Sequence, residues 1–451
     1  MNTALVILAA GMGTRMNSDL PKVLHPLAGA PMLVHAMKAG WALQASACVI
    51  VTGHGAQAVA AAAHDWDETA QCVLQEPQLG TAHAVAQAAP ALATFEGDVI
   101  VLYGDTPLIR PATLEAMQAA RARHDIVVLG FDAADPGRYG RLVMAGDTLE
   151  RIVEFKDATD QERAITLCNS GIIMADAKVM FDLVAAAGNG NAAQEYYLTD
   201  IIVIARSRGL SATAVTCDAA ETLGINTRAE LAQAEAAFQA HARAQALEDG
   251  VTLIAPDTVH FAHDTVIGRD AVIEQNVVFG PGVTVESGAR IRAFSHLEGC
   301  HVSQRAIVGP YARLRPGAEL AEDVHVGNFV EVKNAVLEAG AKANHLSYIG
   351  DATIGAGSNI GAGTITCNYD GVMKHHTEIG RGAFIGSNTM LVAPVRVGHQ
   401  AMTGSGSVIT ADVPDGALAL ARAHQEVKPG MALKLMDMLR ARKAKKNKET
   451  T

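Results

Sequence analysis

The chain has 451 residues, 49% apolar but only 4% aromatic, with 42 glycines and a formal net charge of −11. That length exceeds what one core ordinarily holds, so two or three domains are predicted, their interiors built from Ala, Val, Ile and Leu. The acidic balance argues against a nucleic-acid binder or a membrane-surface protein, so an anionic substrate must be met by local Arg and Lys.

The first apolar run, Ala4–Ala10, has no basic residue before it and is too short to span a bilayer. It reads as a buried strand of a cytoplasmic protein. Similar runs recur at Cys48–Val51, Val99–Leu102 and Ile126–Leu129, separated by Ala-rich helical stretches such as Pro31–Gln44 and Thr81–Leu92. This alternation predicts an α/β, Rossmann-like domain with a mainly parallel sheet covered on both faces. Ligands of such sheets bind beyond the carboxyl ends of the strands, which directs attention to the residues after Leu8 and after Leu102. The cysteines (Cys48, Cys72, Cys168, Cys217, Cys300 and Cys367) are scattered, with no C-x-x-C pair, and read as reduced, mostly buried thiols.

Leu8-Ala-Ala-Gly-Met-Gly-Thr-Arg-Met16 leaves the first strand and leads to Pro21-Lys22. Gly11 and Gly13 allow the backbone to approach phosphates, and Arg15 and Lys22 could neutralise charge on a breaking phosphoryl bond. No Walker A string is present, and Met16 stands where a dinucleotide fingerprint wants Gly. Read alone, the stretch is either a phosphate loop or a plain strand-to-helix turn. Likewise Asp105 could be an ordinary turn aspartate and Asn226 a loop residue ahead of a helix cap.

Thr227-Arg-Ala-Glu230 is a capping box that opens an Ala-rich helix reaching about Asp249, the natural connector between domains. Beyond Thr252 the period changes to six. Aliphatic residues recur at Ile267, Ile273, Phe279, Val285, Ile291 and Leu297, then from Val308 to Val332, at Ile354 and Ile360, and from Ile379 to Ile409. Three such steps make one triangular coil, so the segment from about Val266 to Ile409 is predicted to be a parallel β-helix. The Gly361–Glu378 stretch breaks the phase and is predicted to protrude as a loop.

Polar residues crowd the coils between Tyr311 and Tyr348. Arg315 and Lys333 are three steps apart, one full coil, and should be neighbours on one face. They form either a small anion site or a solvated pair. His345 lies just downstream and is the best general-base candidate, because an imidazole ordinarily titrates near neutral pH. The His375-His376 and His260/His263 pairs lack a Cys or carboxylate at ligand spacing and read as solvated histidines. The Lys-rich C-terminal end reads as solvated and partly disordered.

As a whole, the N-terminal strings resemble the signature of sugar-1-phosphate nucleotidyltransferases. The resemblance implies that Leu8, Ala9, Ala10, Gly11, Arg15 and Lys22 surround the triphosphate, that Gln75, Gly80 and Thr81 read the base, and that Gly140, Glu154 and Asn169 contact the sugar. Tyr103, Gly104 and Asp105 would close the site, with Asp105 and Asn226 as ligands of Mg²⁺. The repeat segment contains Arg313-Leu-Arg-Pro-Gly-Ala-Glu-Leu320, His325-Val-Gly-Asn-Phe-Val-Glu-Val-Lys333, Asn344-His-Leu-Ser-Tyr348 and Asn359-Ile-Gly-Ala-Gly-Thr-Ile-Thr-Cys-Asn-Tyr-Asp-Gly371. These resemble the acetyltransferase half of the bacterial bifunctional N-acetylglucosamine-1-phosphate uridyltransferase/glucosamine-1-phosphate acetyltransferases.

That resemblance implies that Arg315, Lys333, Tyr348, Asn359 and Lys374 bind glucosamine 1-phosphate and that His345 is the base. It further implies that Ala362, Asn368, Tyr369, Ser387, Ser405 and Arg422 bind acetyl-CoA. UTP is the second co-substrate. The family's β-helix is left-handed and assembles homotrimers with acetyl sites shared between chains. The implied domains are a uridyltransferase domain over 1–228, a helical linker over 229–250, and an acetyltransferase domain over 251–451 that carries the basic tail. The alternative is a single-activity nucleotidyltransferase whose repeats serve only to assemble trimers.

Overall fold

A computed structural model describes residues 2–191 and 193–449. The chain divides into two compact units, one spanning Met1–Val266 and Val278–Val283, the other Ile267–Val277 and Thr284–Thr451.

The first unit is organised by a sheet whose main path runs Ala212–Cys217, Ile126–Asp132, Leu167–Asp176, Asp98–Tyr103, Thr3–Ala9, Ala47–Thr52, Gln71–Leu74. Neighbours are parallel except Leu167–Asp176, which runs antiparallel to both its partners. Every residue of Thr3–Ala9 is buried. Alternation then sends Ala4, Val6 and Leu8 into one core and Leu5, Ile7 and Ala9 into the other. Each large aliphatic side chain so buried stabilises the sheet by about 1.5–3 kcal/mol. Being apolar on both faces, the central strands carry no period-two signal, and their run length reveals them instead.

The register of Leu167–Asp176 against Ile126–Asp132 shifts between Asn169 and Ile173. Gly171 lies there at φ +90, and a Cβ on it would come within 2.7 Å of the Tyr103 ring. The irregularity turns Asn169 toward the end of the Asp98–Tyr103 strand.

The connector helix runs Arg228–Glu248 and belongs to the first unit. The Oγ1 of Thr227 accepts the Glu230 N–H, and the Glu230 carboxylate accepts the N–H groups of Thr227 at 2.8 Å and Asn226 at 2.7 Å. The helix start therefore fixes the backbone of Asn226 as well as its own first turn. Ala234 packs against Leu27, Met32 and Ile225, and Gln239 both donates to and accepts from the backbone of Phe261.

In the second unit the strands are short and pair in parallel, coil upon coil. One inward column runs Ile273, Ile291, Val308, Val326, Ala343, Ile360, Ile385, Thr403, each paired with the next. All eight are buried. This is a parallel β-helix. A coil takes 18 residues where all its steps are six long, as from Arg313 to Glu331, and 17 where one step is five, as from Arg290 to Ile307.

The phase break is narrower than the apolar spacing predicts. Thr366 is 2% exposed and pairs with Leu391, so it fills an inward position with a hydroxyl side chain that aliphatic counting overlooks. Only Asn368–His376 leaves the coil, closed by a Tyr369–Lys374 bridge.

At one corner, Phe294, Tyr311 and Phe329 stack, with ring centroids 4.9 and 5.3 Å apart, and Leu346 follows one coil on. All four have φ between +52 and +61, and all are exposed. Among the described residues no helix is long and apolar enough to cross a membrane. The basic end is not extended chain but a helix, Met431–Glu449, with exposed side chains over 431–447. Its Ala, Leu, Met, Lys and Arg are strong helix formers, which composition-based disorder arguments underweight.

Candidate functional site

Three residues far apart in sequence meet at the carboxyl ends of the first unit's strands. The Lys22 ammonium pairs with the Asp105 carboxylate and donates to Asn226 Oδ1 at 3.1 Å. Lys22 is positioned by Gly13, at φ +62, where a Cβ would lie 2.6 Å from the Lys22 Cβ. Asp105 follows the strand end, where Gly104 donates to the Leu8 carbonyl at 3.0 Å. The Asp105 carbonyl accepts from Ile225 N at 2.9 Å, which brings Asn226 alongside. Two hard oxygen donors, from Asp105 and Asn226, thus converge on one cationic group. That donor set fits a divalent hard cation.

Beside this cluster is a cavity of about 330 Å³, lined in part by Leu8, Ala9, Ala10, Gly11, Lys22, Gln75, Gly80, Thr81, Tyr103 and Asp105. Arg15 is exposed and outside this lining. Gln75 is 5% exposed and donates to the Gly80 carbonyl at 3.0 Å. Gly80 has φ +119, and a Cβ there would sit 2.5 Å from the Tyr196 carbonyl oxygen, so the turn requires glycine. Leu198 N donates to Thr81 Oγ1 at 3.0 Å, clamping the turn to the following wall.

A second cavity of about 320 Å³ shares Thr81, Tyr103 and Glu195 with the first and is lined by Glu154, Asn169, Arg138, Lys156, Tyr197 and Thr199, among others. Burial pushes the Glu154 carboxyl above its ordinary range, opposed by a hydrogen bond from Thr199. Gly140 lies behind this wall, its carbonyl accepting from Asn169 N at 2.9 Å, and a Cβ on it would be 3.5 Å from Glu154 Oε1. Hydroxyl groups that donate to the Glu154 carboxylate would offset the burial that disfavours its charge, as Thr199 does.

In the β-helix, Arg315 and Lys333 are register neighbours one coil apart. Arg315 pairs with Glu331 at 2.8 Å. Lys333 is held below the ordinary lysine range, first by the adjacent Lys374 ammonium and then by partial burial and Arg315. Three cations from two coils and one loop therefore crowd together, with Glu331 engaging only Arg315. Asp351, 8% exposed, accepts hydrogen bonds from Asn334 and Asn368, which couples the coil to the loop. Burial raises its carboxyl, but the two amides together with the charges of Lys374 and Lys333 outweigh this and leave it below the ordinary range. The Tyr348 hydroxyl is 3.5 Å from Asn368 Nδ2, and a Cβ on Gly350 would come within 2.4 Å of that hydroxyl. Asn359 is in a separate sheet of the prism, paired with Lys342 and Phe384.

The His345 side chain is exposed, with Nδ1 at 2.8 Å from Asn328 Oδ1, and both residues line a cavity of about 190 Å³. With the proton on Nδ1 donated to Asn328, Nε2 keeps its lone pair and can take a proton. Ala362 is in the coil after His345, its carbonyl accepting from Asn388 N at 2.7 Å. The Ser387 carbonyl accepts from Gly406 N at 2.8 Å, and Arg422 donates to the Ser405 carbonyl at 2.6 Å. The exposed Tyr369 donates to Gly371 O at 2.6 Å.

Of the paired histidines, His260 and His376 are exposed, as the sequence predicts, whereas His263 and His375 are partnered. His263 is not solvated: Lys38, from the Met32–Trp41 helix, donates to its Nδ1 at 3.0 Å, and its side chain is 9% exposed. That partner is 225 residues away and left no local trace. His375 pairs with Asp370, whereas His376 meets Thr353, so the two do not converge. Among the described residues no group of three His, Cys, Asp or Glu could hold a metal.

Asn328, Asp351, Gln78 and Glu195 were not singled out by sequence. Asn328 was findable, being one coil before His345; the others depend on long-range packing.

The MobA-like NTP transferase domain family matches residues 5–168, and the bacterial transferase hexapeptide (six repeats) family matches residues 264–299. A bifunctional protein GlmU from Ruegeria pomeroyi is 70% identical over 450 residues, covering 100% of both chains. Those of Ruegeria sp. (strain TM1040) and Jannaschia sp. (strain CCS1) are 69% and 65% identical, covering 99% of this chain and 100% and 98% of their own.

Proposed function

The chain belongs to the bifunctional GlmU family, and from that membership we propose how its side chains divide two reactions. It is a bifunctional transferase of UDP-N-acetylglucosamine synthesis. It acetylates glucosamine 1-phosphate with acetyl-CoA, then transfers UMP from UTP to N-acetylglucosamine 1-phosphate with release of pyrophosphate. The observation that carries this is identity of up to 70% along the whole chain with bifunctional relatives. Repeats used only for assembly are not favoured.

In the acetyl step, we assign Arg315, Lys333 and Lys374 to the sugar phosphate, with Tyr348 and Asn359 helping. The amine nitrogen attacks the thioester carbon, its N–C bond forms, the C–S bond breaks and coenzyme A leaves. His345 Nε2 accepts the amine proton, and the Ala362 N–H faces the oxyanion. Asn368, Tyr369, Ser387, Ser405 and Arg422 hold the coenzyme.

In the uridylyl step, a phosphate oxygen of the sugar phosphate attacks the α-phosphorus of UTP and the bond to the β-phosphate breaks. The attacking group is already anionic, so no side-chain base is required. Lys22 and Arg15 neutralise charge and Gln75, Gly80 and Thr81 position the base. Asp105 and Asn226 would hold Mg²⁺, which when bound supplies charge neutralisation on the phosphates.

We further propose a left-handed homotrimer working in the cytoplasm, in keeping with six free thiols. The exposed column Phe294, Tyr311, Phe329 and Leu346 supports assembly. Bulky residues in the left-handed region cost about 1–3 kcal/mol each, and a covering surface would offset their exposure. The boundaries 1–228, 229–250 and 251–451 remain our functional division.

The test is incubation with glucosamine 1-phosphate, acetyl-CoA, UTP and Mg²⁺, with products read by mass. UDP-N-acetylglucosamine should form. Formation only when N-acetylglucosamine 1-phosphate is supplied would show that the acetyl half is inactive.

A further inference from the structure

The first residue of the connector helix, Arg228, reaches back to the glycine-containing loop and to the segment that bears Lys22. Its Nε donates to the Met16 carbonyl at 3.3 Å and its Nη1 to His25 Nδ1 at 3.1 Å, partners 212 and 203 residues away. Each acceptor anchors a short turn that carries a cation. Met16 closes the Thr14–Met16 turn, which holds Arg15, and His25 directly follows the Lys22–Leu24 turn. Met16 is 1% exposed, and its N–H donates to the Gly13 carbonyl at 2.9 Å, so both its side chain and its backbone are fixed. The methionine that stands where a dinucleotide fingerprint wants glycine is thus a buried peg. His25 is 2% exposed. Burial, then the adjacent guanidinium, hold its imidazole below the ordinary range, so the ring stays neutral and Nδ1 can accept.

On the other side, Asn226 lies two residues before Arg228, and its N–H donates to the Glu230 carboxylate at 2.7 Å. A cation at the first position of a helix is disfavoured by the helix dipole. Arg228 is therefore held in place by its two contacts outside the helix, not by the helix itself.

We propose that Arg228 is a positioning residue for uridylyl transfer: its forked guanidinium locks the Thr14–Met16 and Lys22–Leu24 turns to the helix start beside Asn226. Lys22 then meets Asp105 and Asn226 in one fixed arrangement. This rests on the reading that those three residues form the site of uridylyl transfer. Two acceptors in different directions need a planar donor with several N–H groups. A lysine ammonium on its flexible stem keeps the charge but not the fork. A looser cluster slows in-line transfer more than it weakens substrate binding.

The experiment measures both activities of the full chain in Arg228→Met, Arg228→Lys, Lys22→Ala and the Lys22→Ala/Arg228→Met double variant, with Mg²⁺ titrated in the uridylyl assay. Arg228→Met should lower the uridylyl kcat about tenfold. It should leave the KM for N-acetylglucosamine 1-phosphate unchanged and raise the Mg²⁺ concentration needed for half-maximal rate, with acetyl transfer as in the parent. Arg228→Lys should be impaired nearly as much, and in the Lys22→Ala background Arg228→Met should cost little more. A parental kcat and Mg²⁺ dependence in Arg228→Met would overturn the positioning role. So would full activity in Arg228→Lys, which would show that charge alone acts there, and so would independent costs of the two substitutions. Equal loss of acetyl transfer would overturn it as well, by showing damage to the chain at large. Undiminished uridylyl transfer in Lys22→Ala would instead overturn the underlying reading of the site.

Discussion

Asn328 accepts the Nδ1 proton of His345 across 2.8 Å, and the two residues are register partners on adjacent coils. The β-helix ladder itself therefore sets the tautomer of the proposed base. Asn328→Ala should leave the coil intact, because its side chain is only partly buried, yet free the imidazole to rotate and exchange tautomers. Acetyl transfer should fall on the order of 100-fold, with uridylyl transfer unchanged. An acetyl rate equal to the parent's would show that the contact does not orient the base.

The two chemistries should separate cleanly by mutation. His345→Ala should abolish acetyl transfer and spare uridylyl transfer; Asp105→Ala should do the reverse. Equal loss of both activities in either variant, with assembly preserved, would refute the two-site assignment.

Gly80→Ala tests the turn proposed to bind the base. At φ +119, with the Tyr196 carbonyl oxygen 2.5 Å from the added carbon, the turn must move or the wall must open. A cost of about 1–3 kcal/mol is expected, read as a lower melting temperature together with a raised KM for UTP. Acetyl transfer provides the internal control.

Asp370 organises the Asn368–His376 loop, which we propose holds the coenzyme. His375 beside it, then the N–H groups of Met373 and Val372, hold its carboxyl well below the ordinary 3.8. A depressed carboxyl contributes stability that is present above its unfolded value and is lost as pH falls through the folded one. Loop order should therefore persist on mild acidification. Asp370→Ala should accelerate hydrogen exchange at Val372 and Met373 and raise the KM for acetyl-CoA several-fold. Unchanged exchange would show that other contacts hold the loop.

Phe329→Asn probes assembly, because asparagine accepts the left-handed backbone that phenylalanine occupies at φ +55. The coil should keep its stability while the trimer population measured by light scattering falls. A trimer of undiminished strength would remove the aromatic column from the interface.

The two architectures were legible for different reasons. Strand runs such as Leu5–Leu8 are apolar on both faces, and the six-residue period repeats too often to be accidental. The pairing of Arg315 with Lys333 followed from counting three steps. The edge of the phase break did not, because Thr366 fills an inward position without being aliphatic. Lys38 against His263 and Asp105 against Asn226 depend on approaches between distant segments, for which local spacing carries no signal. The amide contacts on Asp351 likewise arise only when loop and coil come together.

The like-charged contact of Lys333 with Lys374 has a thermodynamic consequence. Without an anion, two ammonium groups face each other, and one of them has a weakened hold on its proton. A phosphate entering there adds to the counter-charge that Asp351 supplies, so folding and ligand occupancy become linked. At a concentration one hundred times its Kd, such a ligand adds about 2.7 kcal/mol to stability. Inorganic phosphate alone should then act as a thermoprotectant, with an effect that weakens as rising pH discharges Lys333.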